Sequence, residues 1–364
     1  MLTNPFGCED SAPPTVQGMK LPESAPTRPQ TVIGLMSGTS LDGLDIATSR
    51  FARTADGGLA AELLAVRTKP FPSDLHARLQ ALYEADAREW VACAAAFSTW
   101  CGEAIAGMSA DLVGFHGQTV FHAPHLGYTG QLASGAHLHA ACGLPVVCDF
   151  RSLDVALGGQ GAPLVPLADA WLYPEAEAAV NLGGIANIST ADGAYDIVPC
   201  NLLLNRLAER EGERYDRGGM RAARGQQVPA LLAELAALPY LQRSAPKSLG
   251  REEVDSVWWP VIEAHSHEPT DDLLATVTQH IADEVRSAVQ GRRALVTGGG
   301  AWNATLMAGL DEVLPASREL IDGKEAHAFA LLAWLRVHGV PNTWGRVTGA
   351  KRDAVGGAVY GFGL

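Results

Sequence analysis

No Cys-x-x-Cys pair occurs in this chain, and its six cysteines stand apart at positions 8, 93, 101, 142, 148 and 200. That scatter, in a chain of this size, speaks against a disulfide framework and for a reducing, cytoplasmic setting. No apolar run reaches the ~18–20 residues of a membrane span. The most apolar helical stretch, from Trp90 to Met108, is interrupted by Ser98, Thr99, Gly102 and Glu103. No basic stretch followed by an apolar core opens the chain, so no secretory signal is expected. Positive charge is also short. Against 40 Asp and Glu there are 27 Lys and Arg, a net charge of −13. That balance argues against nucleic acid as a partner and against attraction to anionic membranes.

What is present is a globular composition, 47% hydrophobic and 18% charged, over 364 residues. That length holds two domains with substantial cores. Residues 1–30 are rich in Pro, Ser and Thr without apolar periodicity and read as a flexible extension, with order beginning at Thr31. Strands are expected at Val32–Met36, Leu44–Phe51 and Ala61–Val66, then a helical region over 74–108. Short strands at Leu112–Phe115 and Leu144–Cys148 follow. A second set starts at Ala178–Leu182, turns at Gly183-Gly184, and resumes at Ile185–Ser189. Helices are expected over 200–211, 228–239 and 271–289, a strand over Arg293–Thr297, and further helices from Asn303 and over Lys324–His338. Strand, glycine turn and strand thus occur twice, each time followed by helices. The pattern suggests two related α/β domains whose turns face one cleft.

The turn in Gly34-Leu35-Met36-Ser37-Gly38-Thr39-Ser40-Leu41-Asp42-Gly43 carries the most chemistry. Its small residues let a ligand reach the backbone, and successive N–H groups in such a turn form an anion-binding concavity. Ser37, Thr39 and Ser40 add hydroxyls; Asp42 and Asp45 are suited to a metal or to orienting a nucleophile. No Gly-Lys-Ser/Thr follows, so it is not a Walker loop. An ordinary hairpin turn remains the competing reading. Asn181-Leu182-Gly183-Gly184-Ile185-Ala186-Asn187 looks like a second phosphate hairpin, and Gly298-Gly299-Gly300 before Asn303 bares backbone for a base or ribose. His116, Gln118, Thr119 and His122 cluster at a strand end, better suited to bonding a polar substrate such as a sugar than to a metal. Asp196 sits between a strand and a helix start, where it serves as a general base or as an N-cap. Arg251, close to Lys247, is suited to a substrate carboxylate, or to a solvated loop.

Together these segments resemble the anhydro-N-acetylmuramic acid kinase family of the sugar-kinase and actin-like ATPase superfamily. The resemblance runs from about residue 32 to the end. Its markers are Gly-Leu-Met-Ser-Gly-Thr-Ser-Leu-Asp-Gly (34–43), His-Gly-Gln-Thr (116–119), Asp-Phe-Arg (149–151), Asp154 with the 158–166 loop, and Asn-Leu-Gly-Gly-Ile-Ala-Asn (181–187). Pro-Lys-Ser (246–248) with Gly-Arg-Glu (250–252), Gly-Gly-Gly-Ala (298–301) with Asn303, and Val-Thr-Gly-Ala (347–350) complete the set. The resemblance implies a two-domain actin-like, ribonuclease H-like fold with a central nucleotide cleft. Domain I would comprise 31–175 plus 350–364, and domain II 176–349.

It also implies ATP and Mg²⁺ as cofactors, with a hydrolytic opening of the 1,6-anhydro ring of anhydro-N-acetylmuramic acid and phosphorylation of its 6-oxygen, in peptidoglycan recycling. A kinase for another small sugar, or a weakened nucleotide- or sugar-binding relative, is the alternative, and homodimers are common in the superfamily. By the same match Asp196 is the catalytic base. Gly34, Ser37, Gly38, Thr39, Ser40, Asp42 (also the metal candidate) and Gly43 meet phosphate, as do Asn181, Gly183, Gly184 and Asn187. Gly298, Gly299, Gly300 and Asn303 lie by the adenosine, and His116, Gln118, Thr119, Arg151, Asp154, Lys247 and Arg251 line the sugar side. The sequence departs from the family at Ile197, Val198 and Cys200, where a Thr and two glycines are usual. It departs again at Asn205, at Gly218 and near Asp169. The base itself is retained, and the altered turn predicts reduced or retuned nucleotide affinity rather than loss of catalysis.

Overall fold

The computed structural model describes residues 19–38, 41, 43–190, 193–245 and 247–362. The apolar run of β1 (Gln30–Met36) forms a strand with Val32 to Met36 all buried. It pairs antiparallel with β2 (Leu44–Arg53), which pairs with β3 (Leu59–Lys69). The chain returns through the helix Ala87–Ile105, capped by Asp86, whose carboxylate accepts from the Glu89 N–H. β4 (Leu112–Phe115) then pairs parallel to β1 on its other side. A hairpin of β5 (Gln118–Ala123) and β6 (Tyr128–Leu132) follows, then β7 (Val146–Cys148), parallel to β4.

The second sheet repeats the plan. β8 (Ala178–Leu182), β9 (Ile185–Thr190) and β10 (Gly193–Pro199) form an antiparallel meander. β11 (Ala294–Thr297) pairs parallel to β8, and β12 (Val313–Leu314) parallel to β11. Numbered within each repeat, both sheets run 3-2-1-4-5, and β13 (Ala358–Tyr360) adds an edge to the first. This strand order, twice over, is the ribonuclease H-like arrangement of an actin-like fold. Both glycine turns, 36–43 and 182–185, join strands one and two of their repeat.

Two expectations need correction. Order starts before Thr31: Leu21 and Ala25 are buried, Leu21 N–H donates to the Gly57 carbonyl, and Arg53 N–H donates to Pro26. The proline-rich composition hid two apolar anchors. The long helix Arg318–Val337, expected in the second domain, instead joins the core of the first sheet. Ala328 through Leu335 are all at most 1% exposed. Burying Phe329, Leu331, Leu332, Trp334 and Leu335 contributes about 1.5–3 kcal/mol each. The chain therefore crosses back to the first half well before residue 350.

Gly34 and Gly114 explain how closely that helix sits. They are register partners on β1 and β4. A Cβ on Gly34 would stand 1.8 Å from the Ala326 carbonyl oxygen, and one on Gly114 2.2 Å from that of Phe329. The two hydrogens let helix backbone lie directly on sheet backbone. No helix among the described residues is long and apolar enough to cross a membrane.

Candidate functional site

A cleft of about 1030 Å³ lies between the two halves. The first half contributes Gly38, Gly43, Asp45 and Thr68; the second contributes Asn181, Gly183, Gly184, Thr297, Gly298 and Gly299. The three glycine segments singled out in the sequence thus meet around one cavity. Gly298 has φ +85°, and a Cβ there would stand 2.4 Å from Asn181 Oδ1, so only glycine fits. Thr39, Ser40 and Asp42 fall outside the described residues.

Sheet register places Asp196. Thr297, Asn181, Asn187 and Asp196 are successive partners across β11, β8, β9 and β10. Partners in register share a face of the sheet. Thr297 and Asn181 line the cleft, and Asp196 lies two strands out, about 10 Å from Asn181 at ordinary strand spacing. Its Oδ2 accepts from Leu249 N–H at 2.9 Å, and burial raises its carboxyl pKa while that bond lowers it. It does not cap the helix Asn201–Ala208, whose N-cap is Cys200.

Several expected ligands have other tasks. Gly34 is a packing glycine beneath the 318–337 helix, and Gly300 packs on Leu182. Asn303 caps a short helix by accepting from Leu306 N–H. Ser37 Oγ donates to Gln118 Oε1 at 2.5 Å, one residue from the cleft-lining Gly38. Thr119 donates to Gln131 within the β5–β6 hairpin. Asp154 holds its own loop, accepting from Gly161 N–H and Thr348 Oγ. Lys247 Nζ donates to the Tyr240 and Leu241 carbonyls. Arg251 does line the cleft, and Asp255 stands 3.8 Å from its Nε.

His116 is locked neutral. Its Nε2 accepts from Arg151 at 2.9 Å, so Nδ1 carries the proton and donates to the Gly117 carbonyl at 2.8 Å. Burial and the Arg151 charge push its pKa down to about 3. Both ring nitrogens are therefore occupied. Arg151 also donates to the Gly161 carbonyl, which leaves two guanidinium N–H groups unused among the described residues.

Sequence reasoning missed part of the cleft. Lys324 and Glu325 line it from the 318–337 helix. Lys324 Nζ makes a 2.8 Å pair with Asp169, both nearly buried. Glu325 is exposed to the cleft; the surrounding protein raises its carboxyl pKa by desolvation, Lys324 and Arg151 lower it, and Asp45 raises it. The one signal was a Lys-Glu pair heading an otherwise apolar helix. Asn201, Asn205 and Arg206 also line the cleft, with the Arg206 guanidinium 3.9 Å above the Trp259 ring. Ile197, Val198 and Cys200 are at most 3% exposed and belong to the second core. None of the three has positive φ. Their bulk takes no space from the cleft, so the turn needs no glycine there.

Comparisons with known proteins agree over most of the chain. The family model for anhydro-N-acetylmuramic acid kinase matches residues 30–361. The anhydro-N-acetylmuramic acid kinase of Pseudomonas putida is 39% identical over 90% of this chain and 98% of its own length. That of Bordetella petrii is also 39% identical, over 90% and 95%. Among solved structures, component A of Acidaminococcus fermentans (R)-2-hydroxyglutaryl-CoA dehydratase aligns over 84% of this chain and 98% of its own, at 12% identity and a TM-score of 0.42. The family match spans both sheets and every glycine turn of the cleft: the chain belongs to the anhydro-N-acetylmuramic acid kinase family.

Proposed function

We propose that this chain uses ATP and water to convert 1,6-anhydro-N-acetylmuramic acid into N-acetylmuramic acid 6-phosphate and ADP, in the cytoplasmic recycling of peptidoglycan sugars. The observation that carries the reading is the polar row from Thr297 to Asp196, running out of a glycine-lined cleft in a chain matched to this kinase family from 30 to 361.

Water attacks the anomeric carbon. Asp196 accepts a proton from that water through Oδ1, since Oδ2 is held by Leu249. The bond from C1 to O6 breaks, and O6 attacks the γ-phosphorus. The bond to the β-phosphate oxygen breaks and ADP leaves. Backbone N–H groups of the turns at 38, 183–184 and 298–299 hold the phosphates and stabilise the charge that develops on them. The side-chain amides of Asn181 and Asn187 face the same region. Arg151, with two N–H groups unpartnered among the described residues, and the Gln118 amide are the sugar-side donors.

Asp45 and Glu325 are suited to a magnesium ion. Both line the cleft, and each disfavours the other's charge. Mg²⁺ is commonly held by one or two carboxylates plus phosphate oxygens. Bound there, it would neutralise phosphate charge. Thr68 Oγ steadies Asp45 by donating to its carboxylate at 2.5 Å.

The test is ADP release with a panel of sugars. ADP is expected with 1,6-anhydro-N-acetylmuramic acid and not with the free sugar. Faster release with another anhydro-sugar would reassign the substrate. Equal release with and without sugar would overturn the reading.

A further inference from the structure

β10 is an edge strand, and its outer edge is covered by residues 239–245 and 247–249. A β-bulge falls between Asp196 and Val198, so the ladder to β9 is interrupted at Ile197. Bulges beside active sites re-aim side chains. Here the covering segment takes over where the ladder is interrupted. Asp196 N–H donates to the Lys247 carbonyl at 3.0 Å. The Tyr240 hydroxyl donates to the Asp196 carbonyl at 2.7 Å. Leu249 N–H donates to Asp196 Oδ2. Three of the four polar atoms of Asp196 are thus held by one segment, and Oδ1 accepts nothing among the described residues.

Tyr240 is itself immobilised. It is 1% exposed, and its ring meets Trp258 edge-on at 6.4 Å. Lys247 Nζ sits 4.7 Å above that ring while donating to the Tyr240 and Leu241 carbonyls. A covered edge needs only backbone partners. Spending a buried phenol on the carbonyl of the one residue in this row that bears a carboxylate fixes the direction of that carboxylate instead. We propose that Tyr240 is a positioning residue for Asp196, with Lys247 as its anchor. The inference rests on the reading of Asp196 as base.

Tyr240→Phe keeps the ring, its packing and the lysine above it, and removes one hydrogen bond. With the Asp196 backbone free to turn at the bulge, kcat is expected to fall by about 10–100-fold, the scale of an ångström-level misplacement. KM for ATP and the dissociation constant of a non-hydrolysable ATP analogue should stay within about twofold, because the glycine turns are untouched. A merely structural tyrosine would lower the melting temperature and leave kcat unchanged below it. Wild-type kcat in Tyr240→Phe would therefore overturn the proposal.

Should Tyr240→Phe fail to fold, Lys247→Met and Lys247→Arg take its place. The methionine variant is expected to lose kcat and the arginine variant to recover much of it. Equal wild-type kcat in both would equally refute the positioning role. Asp196→Asn separates the two levels. Loss of turnover with ATP binding intact upholds the base, whatever Tyr240→Phe does; full activity in Asp196→Asn removes the base and the positioning role together.

Discussion

Replacing Gly34 by Ala puts a methyl group where the backbone of the 318–337 helix already stands. The added carbon would lie 1.8 Å from the Ala326 carbonyl oxygen, 2.8 Å from its carbon and 2.9 Å from Ala330 N. Carbon-to-oxygen contact normally begins near ~3.3 Å, so helix and sheet must part by roughly 1.5 Å. Backbone stands on both sides, and no rotamer relieves the clash. Overpacking costs about 1–3 kcal/mol where side chains can yield, so the cost here belongs at or above about 3 kcal/mol. A fall in Tm of at least about 5 °C follows. Glu325 and Lys324 precede Ala326 and face the cleft, so the same shift carries them with it. Thermal unfolding and steady-state ADP release read both effects. Gly299→Ala is the control: its Cβ would meet only Asn201 Nδ2, at 3.5 Å. It should leave Tm within about 1 °C and weaken nucleotide binding. Wild-type Tm and activity in Gly34→Ala would refute the packing argument.

The Lys324–Asp169 pair offers a second test. Removing one partner alone, as in Lys324→Met, leaves an uncompensated buried charge and should cost about 3–5 kcal/mol. Lys324→Met with Asp169→Leu should cost less than the sum of the two single changes, measured as a double-mutant cycle in urea. Stability should also fall in mild acid. Burial pushes His116 to about 3, and His280 and His327 to about 4, from 6.5 when unfolded. The unfolded chain therefore binds protons that the folded chain refuses, and stability present above pH 6.5 is lost as pH falls toward 4. Each histidine contributes about 1.4 kcal/mol per pH unit inside that window. Asp169, Asp196 and Glu284 work the other way, because burial raises them and the folded state takes their protons first. The urea midpoint should drop from pH 7 to pH 5. A flat or rising midpoint would show that the histidines are not buried neutral.

Strands and glycine turns were legible because their signals are local. Val32–Met36 and Ala178–Leu182 are short, mainly apolar runs that lead into glycine-containing turns, and both form the first strand of a sheet. The task of each glycine was not legible. Gly34 and Gly299 both sit by glycine-rich turns, yet one makes room for a helix nearly 300 residues away along the chain and the other opens onto a cavity. Glu325 stayed hidden for the same reason, since its direction depends on how a distant helix seats on the first sheet. Asp154 is placed on the sugar side by the family resemblance alone; in the fold its oxygens hold its own loop in shape. That the side chains at 197, 198 and 200 turn into the second core was not legible either, because their direction is set by the bulge and by that core.

The coupling of ring opening to phosphoryl transfer is tested most directly by running the reaction in ¹⁸O-labelled water and reading the products by mass spectrometry. Water entering at the anomeric carbon predicts one ¹⁸O in the sugar 6-phosphate, on the sugar rather than the phosphate group, with ADP formed in equal amount. Label appearing in inorganic phosphate, with the anhydro-sugar unconsumed, would contradict the account: the cleft would then hydrolyse ATP without opening the ring.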